Sequence, residues 1–489
     1  MVFPILGANT ESAAYEISNS LRFNDDSSEY LSKTPSSASN RRTFTISLWV
    51  KRSNLNTSAV LYGAGSAVTD MFQLLMQNDA DENRIIVQNR VSGTNNLHLV
   101  TTNGFRDPSA WFHIVLAVDT TQGTASNRAK LYVNGNQITA FGTEDYPSQD
   151  YDCHVNNTVA HHIGAQSRGS ANDHFDGYIT ELHSIDGSAK AQTDFGEFNA
   201  NGVWIPKAYT GTYGTNGFFM EFKQTGTGTN ASGIGADTSG NNNHFAVNNL
   251  AALDVTEDTC TNNFATFATT GRVSGTVTLS EGNCKIVGDS SANASGQHGT
   301  IAFTSGKWYL EMKATDSTTT QLGFLTVNTS DIGDNTADGN GGMNYHYANI
   351  YYQYNNGSIN KVDTGGGGIG AASVSGGSNS SLGGFSDGDI LIFALDMDNN
   401  RAYFGKNGTW FNSANPATAT NYFSLQTDVA NGVTFYAGVD ACTGTELNTG
   451  NPTFSISSGN SDANGYGNFE YAVPSGYYAM CTKNLAEFG

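Results

Sequence analysis

The chain is poor in charge, and poorest in positive charge. Of its 489 residues only 23 are lysine or arginine, against 44 aspartates and glutamates, and charged residues make up 14% of the whole. About 25% is ordinary for a soluble domain. Proteins hold phosphate backbones and anionic lipid by neutralising them with cations, so a net charge of −21 argues against nucleic acid as a partner. Cysteine is equally scarce. Cys153, Cys260, Cys284, Cys442 and Cys481 are dispersed with no Cys-x-x-Cys pair, which predicts neither a zinc site nor a disulfide framework. Stability must then come from burial. Long apolar runs are missing too: no window approaches the ~20 residues of a membrane-spanning helix, so no membrane insertion is expected. The opening MVFPILGANTESA lacks a basic segment and is broken by Pro4 and Gly7, a poor match to an export signal.

Short polar residues and glycine fill the gap. Glycine accounts for 56 residues and aromatics for 11%. Ser, Thr and Asn compete for backbone hydrogen bonds and Gly loses entropy in helices, so the mix favours short strands joined by tight turns. The pattern from residue 21 onward agrees. FTISLWVK (44–51) puts Phe44, Ile46, Leu48 and Val50 on one face, and WFHIVLAVD (111–119) and AKLYVNG (129–135) alternate likewise. Asn134-Gly135 is a hairpin turn because both residues tolerate positive φ. Strands resume near 270, with GKWYLEMKA, TQLGFLTV, GDILIFALDMD, RAYFGKNG and VTFYAGVD. Trp49, Trp111 and Trp308 fall in strand patterns and are expected to be buried.

Six segments in order, SLRFNDDSSEYLS, FTISLWVK, WFHIVLAVD, AKLYVNG, IGAQ and FDGYITELHSID, resemble laminin-G-like, concanavalin A-type jelly rolls. The Trp308 strand, YQYNNGSI, GDILIFALDMDNNRAYFGKNG and FYAGV resemble a SPRY domain, a second sandwich of that class. The ending VPSGYYAMCTKNLAEFG is similar to those of bacteriophage, especially marine-phage, structural proteins with this module order. The expected fold is therefore all-β: two concanavalin A-like β-sandwiches joined by a structured connector. The expected divisions are an N-terminal arm (1–20), a laminin-G-like jelly roll (21–200), the connector (201–265) and a SPRY-like sandwich with its tail (266–489).

ALDMDNNRAYFGKNGTW (394–410) tests three chemistries at once. As a calcium loop starting at Asp396 it has Asp398 and Asn400 in place, but Arg401 stands where the turn needs Gly, and Asn407 where a bidentate Glu belongs. As a glycosidase acid pair it lacks a Glu at the Glu-x-Asp-x-x-Glu spacing. ELHSID puts His183 after Glu181, and EMKATD puts Lys313 after Glu311. A β-hairpin with acidic turns remains. GGGGIG (365–370) matches a dinucleotide fingerprint in letters only, since nothing after it can open a helix. His161 and His162 are adjacent, so a strand points them to opposite sides. No Gly-x-Ser-x-Gly elbow is present.

No catalytic residue or cofactor is therefore expected, and the chain is not expected to be an enzyme. Laminin-G-like domains often hold calcium at a rim of loop acids, which makes Asp25, Asp26, Asp173 and Asp176 the calcium candidates, with solvated turn acids as the alternative. A ring face can cover the C–H face of a sugar, so Tyr345, Tyr347, Tyr351, Tyr352, Tyr354 and Trp410 are the glycan candidates. On a strand, half of these tyrosines would face inward instead. The resemblance implies a phage virion protein at a tail fibre, tail tip or capsid surface, assembled in the host cytoplasm and exposed outside the cell. Its expected partners are other virion proteins or a host surface glycan, in a symmetric homo-oligomer with a trimer as first expectation. The alternatives are a concanavalin A-like glycan hydrolase or depolymerase, and an adaptor gripping a peptide with SPRY loops.

Overall fold

The structure, a computed structural model, describes residues 15–55, 57–77, 82–269, 277–288, 295–316, 321–326, 349–353, 359–362, 369–371, 383–425, 432–439 and 443–489. Thr482–Phe488 is the one α-helix among them; the regular structure is otherwise strands and short 3-10 turns. The chain divides into two units, Glu11–Thr261 and Asn262–Gly489.

The first unit contains two eight-stranded antiparallel sheets. Sheet one runs Asn136–Gln137, Ala129–Val133, Phe112–Asp119, Thr43–Arg52, Gly177–Asp186, Ser20–Phe23 and Val255–Thr256, with Phe218–Met220 also paired to Gly177–Asp186. Sheet two runs Phe141–Asp145, Thr94–Gly104, Arg84–Val91, Asp70–Gln77, Ala59–Ala67, Ala160–Ile163, Tyr30–Lys33 and Ala246–Asn248. The alternation seen in the sequence feeds one core. Phe44, Ile46, Leu48 and Val50 meet Phe72, Leu74, Met76 and Val87 of the other sheet, all of them buried. Each such side chain contributes about 1.5–3 kcal/mol by leaving water.

The outer face of sheet one is also covered. Trp49, Trp111 and Tyr178 pack there with Ile17, Trp204 and Cys260. Asn134 and Gly135 take φ of +46° and +77°, and the bare Gly135 backbone lets the Trp204 ring close over it. Lys51 and Asp258 form a buried ion pair in this layer. The Trp111 indole donates to the same carboxylate at 3.0 Å. A buried charge requires such company.

The stretch read from sequence as a connector is ordered as strands of the first unit. Phe218–Met220, Ala246–Asn248 and Val255–Thr256 extend its sheets, and the two units divide between 261 and 262. Part of the presumed N-terminal arm is likewise integral: the Ile17 amide donates to Thr261 Oγ1 at 3.2 Å.

The second unit pairs a nine-stranded sheet with a six-stranded one. Trp308, Leu310, Met312, Phe324, Phe393, Phe404 and Phe435 lie in the core between them. ALDMDNNRAYFGKNGTW is the expected hairpin, Ile390–Asp396 against Arg401–Lys406, with Asp396 opposite Arg401. Its acids close the turn. The Asp396 carboxylate takes the Asn399 amide N–H at 3.1 Å, and Asp398 takes the Gly306 N–H at 2.8 Å. The nine-stranded sheet carries a third layer on its outer face, where Phe469, Tyr477, Ala479 and Cys481 cover Tyr309, Ile392, Ala394 and Tyr403. Glu311, fully buried, pins this strap. Its carboxylate accepts from Tyr309 OH (3.0 Å), Asn448 Nδ2 (3.1 Å) and the backbone amides of Glu470 (3.0 Å) and Tyr471 (2.8 Å).

Candidate functional site

The outer face of sheet two carries a row of polar residues. Residues paired across an antiparallel sheet share a face. Ser32, His162, Gly63, Gln73, Gln88, His98 and Asp145 are successive partners across seven strands. Leu31, Ile163, Tyr62, Leu74, Val87 and Leu99, one residue along, all enter the core. The polar row therefore points outward. Beside it on the same face runs an apolar row of Val60, Leu75, Ile86 and Val100. Gly63 interrupts the polar row for a reason: a Cβ there would lie 3.0 Å from the Ser167 amide. The hairpin Gln166–Ser167/Ala171–Asn172 crosses at that point and inserts Gln166 into the row.

The side-chain amides form a one-way relay. Gln166 Nε2 donates to Gln73 Oε1 (2.6 Å), Gln73 Nε2 to Gln88 Oε1 (2.8 Å), and Gln88 Nε2 to Asn95 Oδ1 (2.9 Å). Asn95 Nδ2 then faces His98 Nδ1 at 3.2 Å. Arg90 sets the direction: its Nε also donates to Asn95 Oδ1, at 3.0 Å. Because a guanidinium is never an acceptor, Asn95 must present its oxygen to Arg90 and its NH₂ to His98. His98 Nδ1 must then be unprotonated, which leaves the ring neutral with its proton on Nε2. The surroundings agree, since burial and the charge of Arg90 lower the His98 pKa while Asp145 opposes them. Burial lowers that of His162 as well. Aligned hydrogen-bond dipoles polarise one another, so the row is a neutral but strongly directional strip.

The sequence candidates lie elsewhere. Asp25 and Asp173 both act on His174, and Asp26 raises the Asp25 pKa after burial does. Asp176 is buried and acts on Arg52, whose own pKa burial pushes down to about 10. The four aspartates do not form one ligand set: among the described residues no group of three or more His, Cys, Asp or Glu side chains is arranged to hold a metal. Trp410 is half-buried and edge-packed on Tyr309 and Tyr403, with ring centres 6.4 and 6.5 Å away. Tyr351 and Tyr352 occupy the strand Asn349–Gln353; Tyr345, Tyr347 and Tyr354 lie outside the described residues. Of the adjacent histidines, His162 joins the outer row, while His161 accepts the Asn156 amide at 3.1 Å and edge-packs on core Tyr62.

Two buried groupings resemble catalytic sets. Ser47 Oγ lies 2.8 Å from His113 Nε2, but the Trp204 indole donates to His113 Nδ1 at 3.0 Å. That places the imidazole proton on Nε2, aimed at the serine, which is the wrong tautomer for a base. Burial holds the His113 pKa down to about 3. Glu181 lies 3.4 Å from His183 and accepts Tyr15 OH at 3.0 Å, with both members of the pair buried. These were invisible from spacing, as was the amide relay. The one signal for the relay is that Gln73 stands between apolar neighbours in DMFQLLMQ and Gln88 follows an apolar run in RIIVQNRV.

The family model described as the concanavalin A-like lectin/glucanases superfamily matches residues 25–193. This is the concanavalin A-like lectin fold. No curated protein matches the chain. Among solved structures, the SPRY domain of human HERC1 is similar at 14% identity, covering 33% of this chain and 86% of that one, with a TM-score of 0.22. A SAP-like pentraxin from Limulus polyphemus aligns at 17% identity over 36% and 80% of the two chains, TM-score 0.29. A carbohydrate-binding protein from Bacteroides ovatus, so described provisionally, aligns at 14% identity over 48% and 60%, TM-score 0.31.

Proposed function

We propose that the protein binds a cell-surface glycan through the outer face of sheet two, as a non-enzymatic structural component of a phage virion. The amide relay carries the binding half of this reading. Sugar hydroxyls each donate and accept; the carboxamides of Gln166, Gln73 and Gln88 are buried and hold the end of the row in place, and half-buried Asn95 and His98 with exposed Asp145 offer donors and acceptors to a sugar's polar edge there. The virion half rests on the resemblance of the ending and of the module order, and it brings symmetric association with other virion proteins. The absence of catalysis is part of the proposal: the Ser47–His113 pair holds its proton on the wrong nitrogen, and Glu311 is fully engaged by four donors. A glycan array with the purified full chain tests binding, and antibody labelling of particles tests location. A protein that retains no glycan, or particles that take no label, would refute the corresponding half. Turnover of the bound polysaccharide in a reducing-sugar assay would refute the non-enzymatic reading.

A further inference from the structure

The relay has a closed end and an open end. At the closed end Gln166 is buried beneath its hairpin. At the open end Arg90, Asn95 and His98 are half-buried and Asp145 is exposed. We infer that the open end is where ligand is gripped, and that it takes a vicinal diol of an uncharged sugar between His98 and Asp145. This rests on the glycan-binding reading and names the chemistry of that same face.

His98 Nδ1 is occupied by Asn95, so Nε2–H is the spare donor at the end of a polarised chain. It has no partner among the described residues. Asp145 is the direct cross-strand partner of His98, and its carboxylate accepts no hydrogen bond from the described residues. Such partners hold their Cβ atoms about 5 Å apart. One donor and one acceptor side by side fit two adjacent hydroxyls, the first accepting from His98 and the second donating to Asp145. An anionic sugar is disfavoured. Asp145 repels it, and the cation at hand, Arg90, is already committed to Asn95 Oδ1 at 3.0 Å and the Val68 carbonyl at 3.3 Å. Acid should weaken the grip. A proton on His98 Nδ1 would meet the Asn95 NH₂ head-on, and Arg90 prevents Asn95 from turning to receive it. The charged groups facing the ring are Arg90 on one neighbouring strand and Asp145 on the other.

The test is an array carrying neutral hexose oligosaccharides beside the same backbones bearing sialic acid, uronate or sulfate, probed with the full chain at pH 7 and pH 5. The expected result is binding to neutral members, weakened at pH 5. Asp145→Asn should bind about ten-fold more weakly, as loss of one charge-assisted hydrogen bond implies, with an unchanged melting temperature because the side chain is exposed. The exposed variant Glu197→Gln should bind like the parent. Binding confined to charged glycans, or undiminished binding by Asp145→Asn, would overturn the inference while leaving glycan binding intact. Binding of no glycan at all would remove the parent reading and this one together.

Discussion

Replacing Gln73 and Gln88 singly and together with Leu measures the amide relay directly. Gln73→Leu strands two groups, the Gln166 NH₂ that donated to it and the Gln88 oxygen that accepted from it. Gln166 and Gln88 are 4% and 7% exposed, so water cannot readily replace the lost partner. At about 1–3 kcal/mol per stranded buried group, the cost is about 2–6 kcal/mol. Gln88→Leu strands the Gln73 NH₂ alone, since half-buried Asn95 can turn to water, and costs about 1–3 kcal/mol. The double variant leaves just the Gln166 NH₂ unmet and should cost about as much as Gln88→Leu. The singles then sum to well above the double, a coupling of two stranded groups, about 2–6 kcal/mol, between neighbours in one network. Native-state hydrogen exchange of peptides spanning 70–91 reads the local stability without requiring the two units to unfold together. Additivity within about 0.5 kcal/mol would show that the two amides do not share a relay.

Glu311→Ala should release the strap over the nine-stranded sheet, leaving four donors unmet at a cost of about 3–5 kcal/mol; new proteolytic cleavage within 457–475 would reveal it, and an unchanged pattern would refute the pinning role. Burial raises the Glu311 pKa above the usual glutamate value of 4.5. The folded form then holds its proton more tightly than the unfolded one, so this group adds stability as pH falls through its raised pKa toward 4.5, and Glu311→Gln should remove that component from the pH profile. His113 works in the opposite sense: its folded pKa of about 3 lies below the ordinary 6.5, so the first unit should lose stability as pH falls from 6.5 toward 3, less steeply in His113→Gln. Gly135→Ala should destabilise the first unit by about 2 kcal/mol, because it combines a positive φ with overlap of the Trp204 ring; an unchanged melting temperature would contradict that packing.

Much of the architecture was legible because it is local. Period-two alternation makes Phe44, Ile46, Leu48 and Val50 a buried face wherever the strand goes. Asn134-Gly135 turns the chain because its backbone accepts positive φ, and the acids of 394–410 read as turn residues because the calcium and acid-pair spacings fail within that same stretch.

The candidate site was not legible, and register is the reason. Ser32, Gln73, Gln88, His98, Asp145 and His162 share a face because seven strands align to the residue. Bulges after Val60 and around Arg84 and Asn89 adjust that alignment. A slip of one residue would send Gln73 into the core and Leu74 to the surface, and no window of the sequence records which register wins. The aspartates chosen from loop position depended on distances between loops, and the fold sent Asp176 toward Arg52 instead of gathering all four. The connector was readable as structured, but the membership of its strands in the first unit's sheets was not, because edge pairing depends on which partner is left open when the rest has folded. The sequence by itself determined an acidic, strand-built molecule with its turns in place. Tertiary structure alone decided which polar residues meet, since hydrogen bonds act over about 3 Å while the residues that make this relay are separated by up to 93 positions along the chain.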